Sequence, residues 1–332
     1  MQWLWHLKHL LRLPAYVPWE VQRFHAQEKT LHEWQPVLAA FLEGCQQEHP
    51  EAWERLHRLG MIPYLTTLPP LPPMMLREIL WRWWQLASLL PATYPLLNPH
   101  HEGTLRCLEV GVKDWAVLPA MAGGLHWLKH HTDKVHRKGD LCTEGSTPER
   151  SLVLDGVEIA PWQFRLEPYQ LVSRYETAQY VQRMTQPWMQ HHHACALQSQ
   201  YIPQSIQGWV ARHHDRSHAS GHAFGYDLLA VFLPFVHPET HARWGLAKHW
   251  YQPTTFWQSI AACQHRSHPT VLWVTHQGTW EQEAFDTWYA ETPEIQESLP
   301  IVWHETQVIH PHWVPLRYAH VVRVGTLLPQ RS

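Results

Sequence analysis

The feature of this 332-residue chain that most restricts its fold is a change of rhythm near Gly103. Beyond that point, short apolar runs bounded by turn residues alternate with longer stretches of helical spacing. The runs lie at 105–110, 152–159, 195–202, 226–233, 271–275, 301–304 and 317–324. Strands separated by crossover segments predict a mostly parallel sheet with helices on both faces. The last two runs have little helix between them and are expected to form an antiparallel pair at one edge.

The first hundred residues read differently. Apolar residues recur with helical spacing through 21–24, 34–41, 53–59 and 75–90, punctuated by Pro14, Pro18, Pro50 and Pro63. The proline-rich stretch 68–73 is a stiff connector before Met74. The segment Leu80-Trp81-Arg82-Trp83-Trp84 is too aromatic for a solvated face and is expected to pack on the domain after it. This divides the chain into a helical N-terminal region, 1–100, and an α/β domain, 101–332. The aromatic stretch 162–184, with Tyr169, Arg174, Tyr175 and Tyr180, predicts a helical insert near 160–190.

Composition narrows the function classes. Charged residues are 17% of the chain, against about 25% in typical domains, while histidine (29) and tryptophan (21) are abundant. Disordered chains are poor in aromatic residues, so this chain is expected to fold. With 26 basic and 29 acidic residues it lacks the cationic excess of a nucleic-acid binder, and no nucleic-acid partner is expected. Protonating the histidines would carry a formal charge of −3 far into the positive range within about two pH units of neutrality. A pH-responsive or metal-binding role is one reading of that. Surface histidine in place of lysine is the plainer one.

Five cysteines, Cys45, Cys107, Cys142, Cys195 and Cys263, are widely spaced and form no CxxC, which fits a reducing, cytoplasmic compartment. No apolar run reaches the length of a membrane span. The N-terminal segment, with Trp3, Leu4, Leu7, Leu10 and Leu11 on one helical face, either packs on its own domain or makes weak peripheral membrane contact. Two histidine clusters stand out. The segment 213–222 brings His214, His218 and His222 to i,i+4 spacing but lacks the glutamate of HExxH, and no metal site is assigned to it. His191-His192-His193 reads as a solvated turn. Neither a GxSxG elbow nor a phosphate-binding P-loop occurs, and Cys107 lies inside a predicted strand.

In open α/β sheets ligands sit beyond the carboxyl ends of the strands. Those ends read Leu108-Glu109-Val110-Gly111 after the first strand and Gly156-Val157-Glu158-Ile159-Ala160-Pro161 after the second. The fourth strand carries Tyr226-Asp227-Leu228-Leu229. In words and in order these motifs resemble the class I S-adenosylmethionine-dependent methyltransferases, over about two thirds of the chain. Within that family the chain looks most like poorly characterised bacterial proteins with a degenerate glycine loop. The resemblance implies a Rossmann-like, mostly parallel seven-stranded sheet with an antiparallel edge pair. It also implies S-adenosylmethionine as cofactor and a small-molecule or lipid-like methyl acceptor.

The residues it points to are Glu109, Gly111, Lys113, Asp114, Glu158 and Asp227 for the cofactor. Asp227 and His237 are candidates for the catalytic step. By family analogy Glu109 helps to position the ligand amino group, usually through solvent. Glu158 accepts hydrogen bonds from the ribose hydroxyls. Gly111 admits a close backbone approach. The chain departs from the family where two loop glycines are replaced by Lys113 and Trp115. A tryptophan there either blocks the cofactor or stacks on it. Two alternatives therefore stand beside the enzyme: a catalytically inactive interaction protein of the same fold, and a histidine-rich metal or pH-responsive protein. The oligomeric state is left open.

Overall fold

A computed structural model describes residues 31–71, 73–97, 104–113, 115–137, 150–159, 164–167, 170–212, 225–232, 251–265, 267–309 and 320–329. The N-terminal segment with Trp3, the 213–222 histidine cluster, Asp114 and His237 lie outside the described residues.

Among the described residues four helices come first: α1 (Leu31–Glu48), α2 (Pro50–Arg58), α3 (Ile62–Thr66) and α4 (Pro73–Thr93). Proline opens α2 and α4, where its missing N–H costs nothing. The α/β part follows as β1 (Leu105–Val110), α5 (Leu118–Arg137), β2 (Arg150–Val157), β3 (Phe164–Glu167), β4 (Gln170–Ser173), α6 (Arg174–His193), β5 (Cys195–Ile202) and β6 (Leu228–Phe232). It ends with α7 (Pro253–Ala261), β7 (Thr270–His276), α8 (Thr279–Ala290), α9 (Pro293–Ser298), β8 (Ile301–Ile309) and β9 (His320–Leu327).

Seven strands form one sheet in the order β5-β2-β1-β6-β7-β9-β8. The contacts β5–β2, β2–β1, β1–β6 and β6–β7 are parallel. Strand β9 runs antiparallel to both β7 and β8, so it alone is reversed. This is the Rossmann-like, mostly parallel seven-stranded sheet with an antiparallel edge pair that the resemblance implied. The central strands are buried on both faces (β6 and β7 throughout), which explains why they read as continuous apolar runs. The strand expected at 301–304 continues to Ile309, and its alternating exposure marks it as the half-solvated edge.

The insert differs from expectation. It begins as a two-stranded antiparallel ribbon, β3 with β4, and only then turns into α6. The helix begins only at Arg174. Helix α6 is the crossover that returns the chain to β5. The three histidines expected in a solvated turn are its last residues, and His193 stacks on Tyr64 with ring centroids 4.6 Å apart.

The N-terminal helices share a single apolar core with one face of the sheet, from Trp34 and Leu80 through Leu125 to Val324. Three tryptophan side chains tie this layer together, each burying a ring while its N–H finds an acceptor elsewhere. Trp127 on α5 donates to the Leu59 carbonyl at 2.6 Å, Trp188 on α6 to Thr67 Oγ1 at 3.3 Å, and Trp273 on β7 to Thr93 Oγ1 at 2.6 Å. The opposite face packs α7, α8 and α9 through Trp257, Phe285 and Ile295. Among the described residues no helix is long and apolar enough to cross a membrane.

Candidate functional site

Parallel register decides which motif residues can meet. Glu109 lies beside Gly156, so the ends of β1 and β2 coincide. Phe232, at the end of β6, reaches the same edge: a Cβ added to Gly111 would stand 3.2 Å from the Phe232 carbonyl oxygen. Glu109, Gly111, Lys113 and Glu158 therefore gather at the carboxyl edge of the sheet.

The loop between β1 and α5 has an unusual backbone. Gly111, Lys113 and Trp115 take φ values of 82°, 52° and 56°. Glycine adopts this region freely, whereas an L side chain costs about 1–2 kcal/mol there. The loop thus keeps left-handed residues at three alternate positions, although two of them are not glycine. Gly111 N–H donates to the Val157 carbonyl at 2.9 Å, Lys113 N–H to Glu158 Oε2 at 2.7 Å, and Tyr201 Oη–H to the Lys113 carbonyl at 2.6 Å. Its rim is open, since Gly111 and Lys113 are both exposed.

Trp115 holds the loop from beneath. Its ring is fully buried, and a Cβ on Gly156 would meet it at 2.7 Å, so only glycine fits there. Its Nε1–H donates to Glu109 Oε2 at 2.9 Å. The other Glu109 oxygen lies 3.4 Å from Arg82 Nη2, and the Arg82 guanidinium rests over the Phe232 ring, 3.4 Å from its centroid. Glu109 is wholly buried. Burial pushes its pKa up, while Arg82 and the Trp115 hydrogen bond pull it back. These contacts remove Glu109 from the solvent-mediated role implied for it.

Glu158 follows β2 and sits differently. Its Oε1 pairs with Arg174 Nη1 at 3.2 Å, and that arginine side chain is 25% exposed. The Glu158 side chain itself is buried, at 5% exposure.

Asp227 requires a correction. It precedes β6, whose first residue lies beside Cys107, so it stands at the amino edge of the sheet, a strand length from Gly111 and Glu158. Its Oδ2 accepts the Arg106 N–H at 2.7 Å, its own N–H donates to the Arg106 carbonyl at 3.0 Å, and His268 approaches Oδ1 at 3.4 Å. Asp227 ties the starts of β1 and β6 and cannot face a ligand at the opposite edge. Cys107 is buried, and burial raises its pKa well above the ordinary thiol value, as its place inside a strand suggested. Among the described residues no group of three His, Cys, Asp or Glu side chains is arranged to hold a metal.

Sequence reasoning missed Arg82, Tyr201 and His320 as residues of this edge. Arg82 had a signal: a single cation inside the run Leu80–Trp84 needs a buried partner. The other two carried none.

Neither a family model nor a curated protein matches the chain. Solved structures similar to it include a 16S rRNA adenine methyltransferase from Catenulisporales acidiphilia with its cosubstrate SAM (9% identity, 73% of this chain and 91% of that one, TM-score 0.32). Another is fibrillarin from Aeropyrum pernix with natively bound S-adenosyl-L-methionine (13%, 73% and 76%, 0.31). A putative class I S-adenosylmethionine-dependent methyltransferase from Listeria monocytogenes is similar as well (8%, 78% and 61%, 0.37).

Proposed function

We propose that the chain is an S-adenosylmethionine-dependent methyltransferase acting on a small-molecule or lipid-like acceptor. The observation that carries this reading is the loop 111–115. It holds Lys113 and Trp115 in a strained left-handed backbone, and its Lys113 N–H is bonded to Glu158 at the rim. Strain of this kind persists where the surroundings over-determine it, and here it keeps the exposed backbone of Gly111 and Lys113 beside a strand-end carboxylate.

The residues present fit such a cofactor unevenly. Glu158 stands past the end of β2, where an acid of this family accepts hydrogen bonds from the ribose hydroxyls, and its partner Arg174 is partly exposed. Gly111 leaves room for a close backbone approach. Trp115 turns inward into the core, so it does not cover the exposed rim. Glu109 is closed to the ligand. When bound, S-adenosylmethionine supplies a methyl group already activated on a sulfonium. The remaining work of the protein is to orient donor and acceptor and to exclude water.

Calorimetric titration of the full chain with S-adenosylmethionine and S-adenosylhomocysteine tests the proposal. Binding that falls at least tenfold in Glu158→Ala supports it. Absence of binding by folded protein overturns it. That outcome would favour an interaction protein of the same fold, a reading supported by the sealing of Glu109 beneath Trp115 and Arg82.

A further inference from the structure

The carboxyl edge of the sheet holds a buried cation whose hydrogen-bonding capacity is largely unused. Arg82 comes from α4, in the N-terminal layer, and its side chain is only 11% exposed. One nitrogen, Nη2, faces Glu109. Its Nε and Nη1 atoms are buried with no hydrogen-bond partner. Buried donors are almost always satisfied, by protein, water or ligand, and a guanidinium offers five of them in a planar fork suited to carboxylate and phosphate.

A second unused donor position lies at the same edge. His276, the last residue of β7, lies beside Val321 of β9, so the preceding residue, His320, stands beyond the carboxyl end of the parallel strands. Its ring meets Trp81, the neighbour of Arg82 on α4, edge to face at 5.3 Å. Its Nδ1 is buried without a partner. Burial, helped by Arg82 and Lys113, lowers its pKa to about 4, so at neutral pH the ring is uncharged and the tautomer with the proton on Nδ1 can donate. The charges that act on Arg82 are Glu109 and Glu78. Glu109 is already engaged by Trp115, and two donor positions of the guanidinium remain open beside it.

We propose that Arg82 and His320 recognise one anionic group, a carboxylate or a phosphate, on the ligand that enters at the carboxyl edge of β1 and β6. The inference deepens the reading of this edge as the ligand site. It also gives the N-terminal helical layer a direct part in that site, since α4 supplies the cation. The anion belongs either to the amino-acid end of the cofactor or to a separate acceptor.

Thermal unfolding of the full chain is measured against inorganic phosphate and acetate, with chloride at matched ionic strength as reference. The expected result is a saturable rise in Tm with phosphate or acetate beyond that with chloride. In Arg82→Met/Glu109→Gln, which removes both buried charges together, the rise disappears. In His320→Phe, which keeps the contact with Trp81, the apparent affinity falls several-fold. Identical behaviour of the three anions on the unsubstituted protein overturns the proposal, as does an unchanged response in the double variant. If S-adenosylhomocysteine displaces phosphate and 5′-methylthioadenosine, which lacks the carboxylate, does not, the anion is the cofactor's own. If both nucleosides bind without displacing phosphate, the anion belongs to the acceptor. Saturable anion binding without any nucleoside binding would uphold the anion site while overturning the methyltransferase reading.

Discussion

Glu109, in β1, and Glu158, just past the end of β2, lie within two residues of the same register line and are both buried, yet they have different neighbours. Glu109 points into the layer shared with the N-terminal helices and is closed off by Trp115 and Arg82. Glu158 lies past the end of its strand, against an exposed loop and a partly exposed arginine. Two acids of one motif set have thus divided the work. One holds the loop from inside, and the other holds it at the rim through the Lys113 N–H. The difference follows from position along the strand: inside it, the pleat aims a side chain at a packed layer, and beyond its last bonded residue the chain opens toward the edge.

The most damaging single change should strike the sealed acid. Arg82→Met leaves Glu109 buried without its counter-ion, at a cost of about 3–5 kcal/mol. The pH dependence fixes the cause. Losing Arg82 raises the folded-state pKa of Glu109 further, and a carboxyl raised on folding is most favourable below its unfolded value of about 4.3 and loses that contribution as pH rises. Urea denaturation should therefore find the variant penalised more at pH 8 than at pH 5, with Glu109→Gln in the same chain removing the difference. A penalty independent of pH would mean that Arg82 acts through packing alone.

Next comes the ring that closes the acid. Trp115→Ala empties a fully buried site and should cost about 3–5 kcal/mol. Trp115→Gly should cost no more, because relief of the left-handed backbone offsets glycine's larger entropy loss. Gly156→Ala should cost about 1–3 kcal/mol through overpacking against the same ring and become nearly neutral once Trp115 is alanine. Additive losses in that cycle would contradict the contact.

How far this division was legible in the sequence depends on what each residue answers to. The strands were readable because buried parallel strands must be apolar on both faces, and the order of the motif words placed Glu109, Gly111, Lys113 and Glu158 at one edge. Asp227 was misplaced because a motif word marks a strand without saying at which end of it a residue falls; only direction and register do that. Trp115 was legible as a departure, but its inward turn depends on Gly156, 41 residues later in the chain, whose missing side chain leaves the space. Arg82 and His320 reach the edge through tertiary packing between distant segments, which local periodicity does not encode. The ribbon β3–β4 was hidden because its aromatic composition suits strand and helix alike.

Two histidines packed against the N-terminal helices supply a smaller and opposite pH effect. Burial, with His192 nearby, holds His193 near a pKa of about 4, and burial with Arg82 and Lys113 does the same for His320. A histidine lowered on folding contributes stability that is complete above about 6.5 and is lost as pH falls through the folded value. Stability should therefore decline between pH 6.5 and 4, at about 1.4 kcal/mol per pH unit for each such proton. His193→Phe, which keeps the stack on Tyr64, should flatten the decline by one proton in urea titrations.

The smallest effect should come from Asp227, and it tests the division from outside. Asp227→Asn keeps an oxygen for the Arg106 N–H and loses only the charge, so a stability loss of about 1 kcal/mol is expected. Its distance from the carboxyl edge predicts no change in the affinity of any ligand that Glu158→Gln weakens. A folded Asp227→Asn protein that loses ligand affinity along with Glu158→Gln would show that the two edges of the sheet are coupled. The roles would then no longer be set by position along the strands, since β6 would have to transmit a change at its start to the carbonyl of Phe232 that faces Gly111.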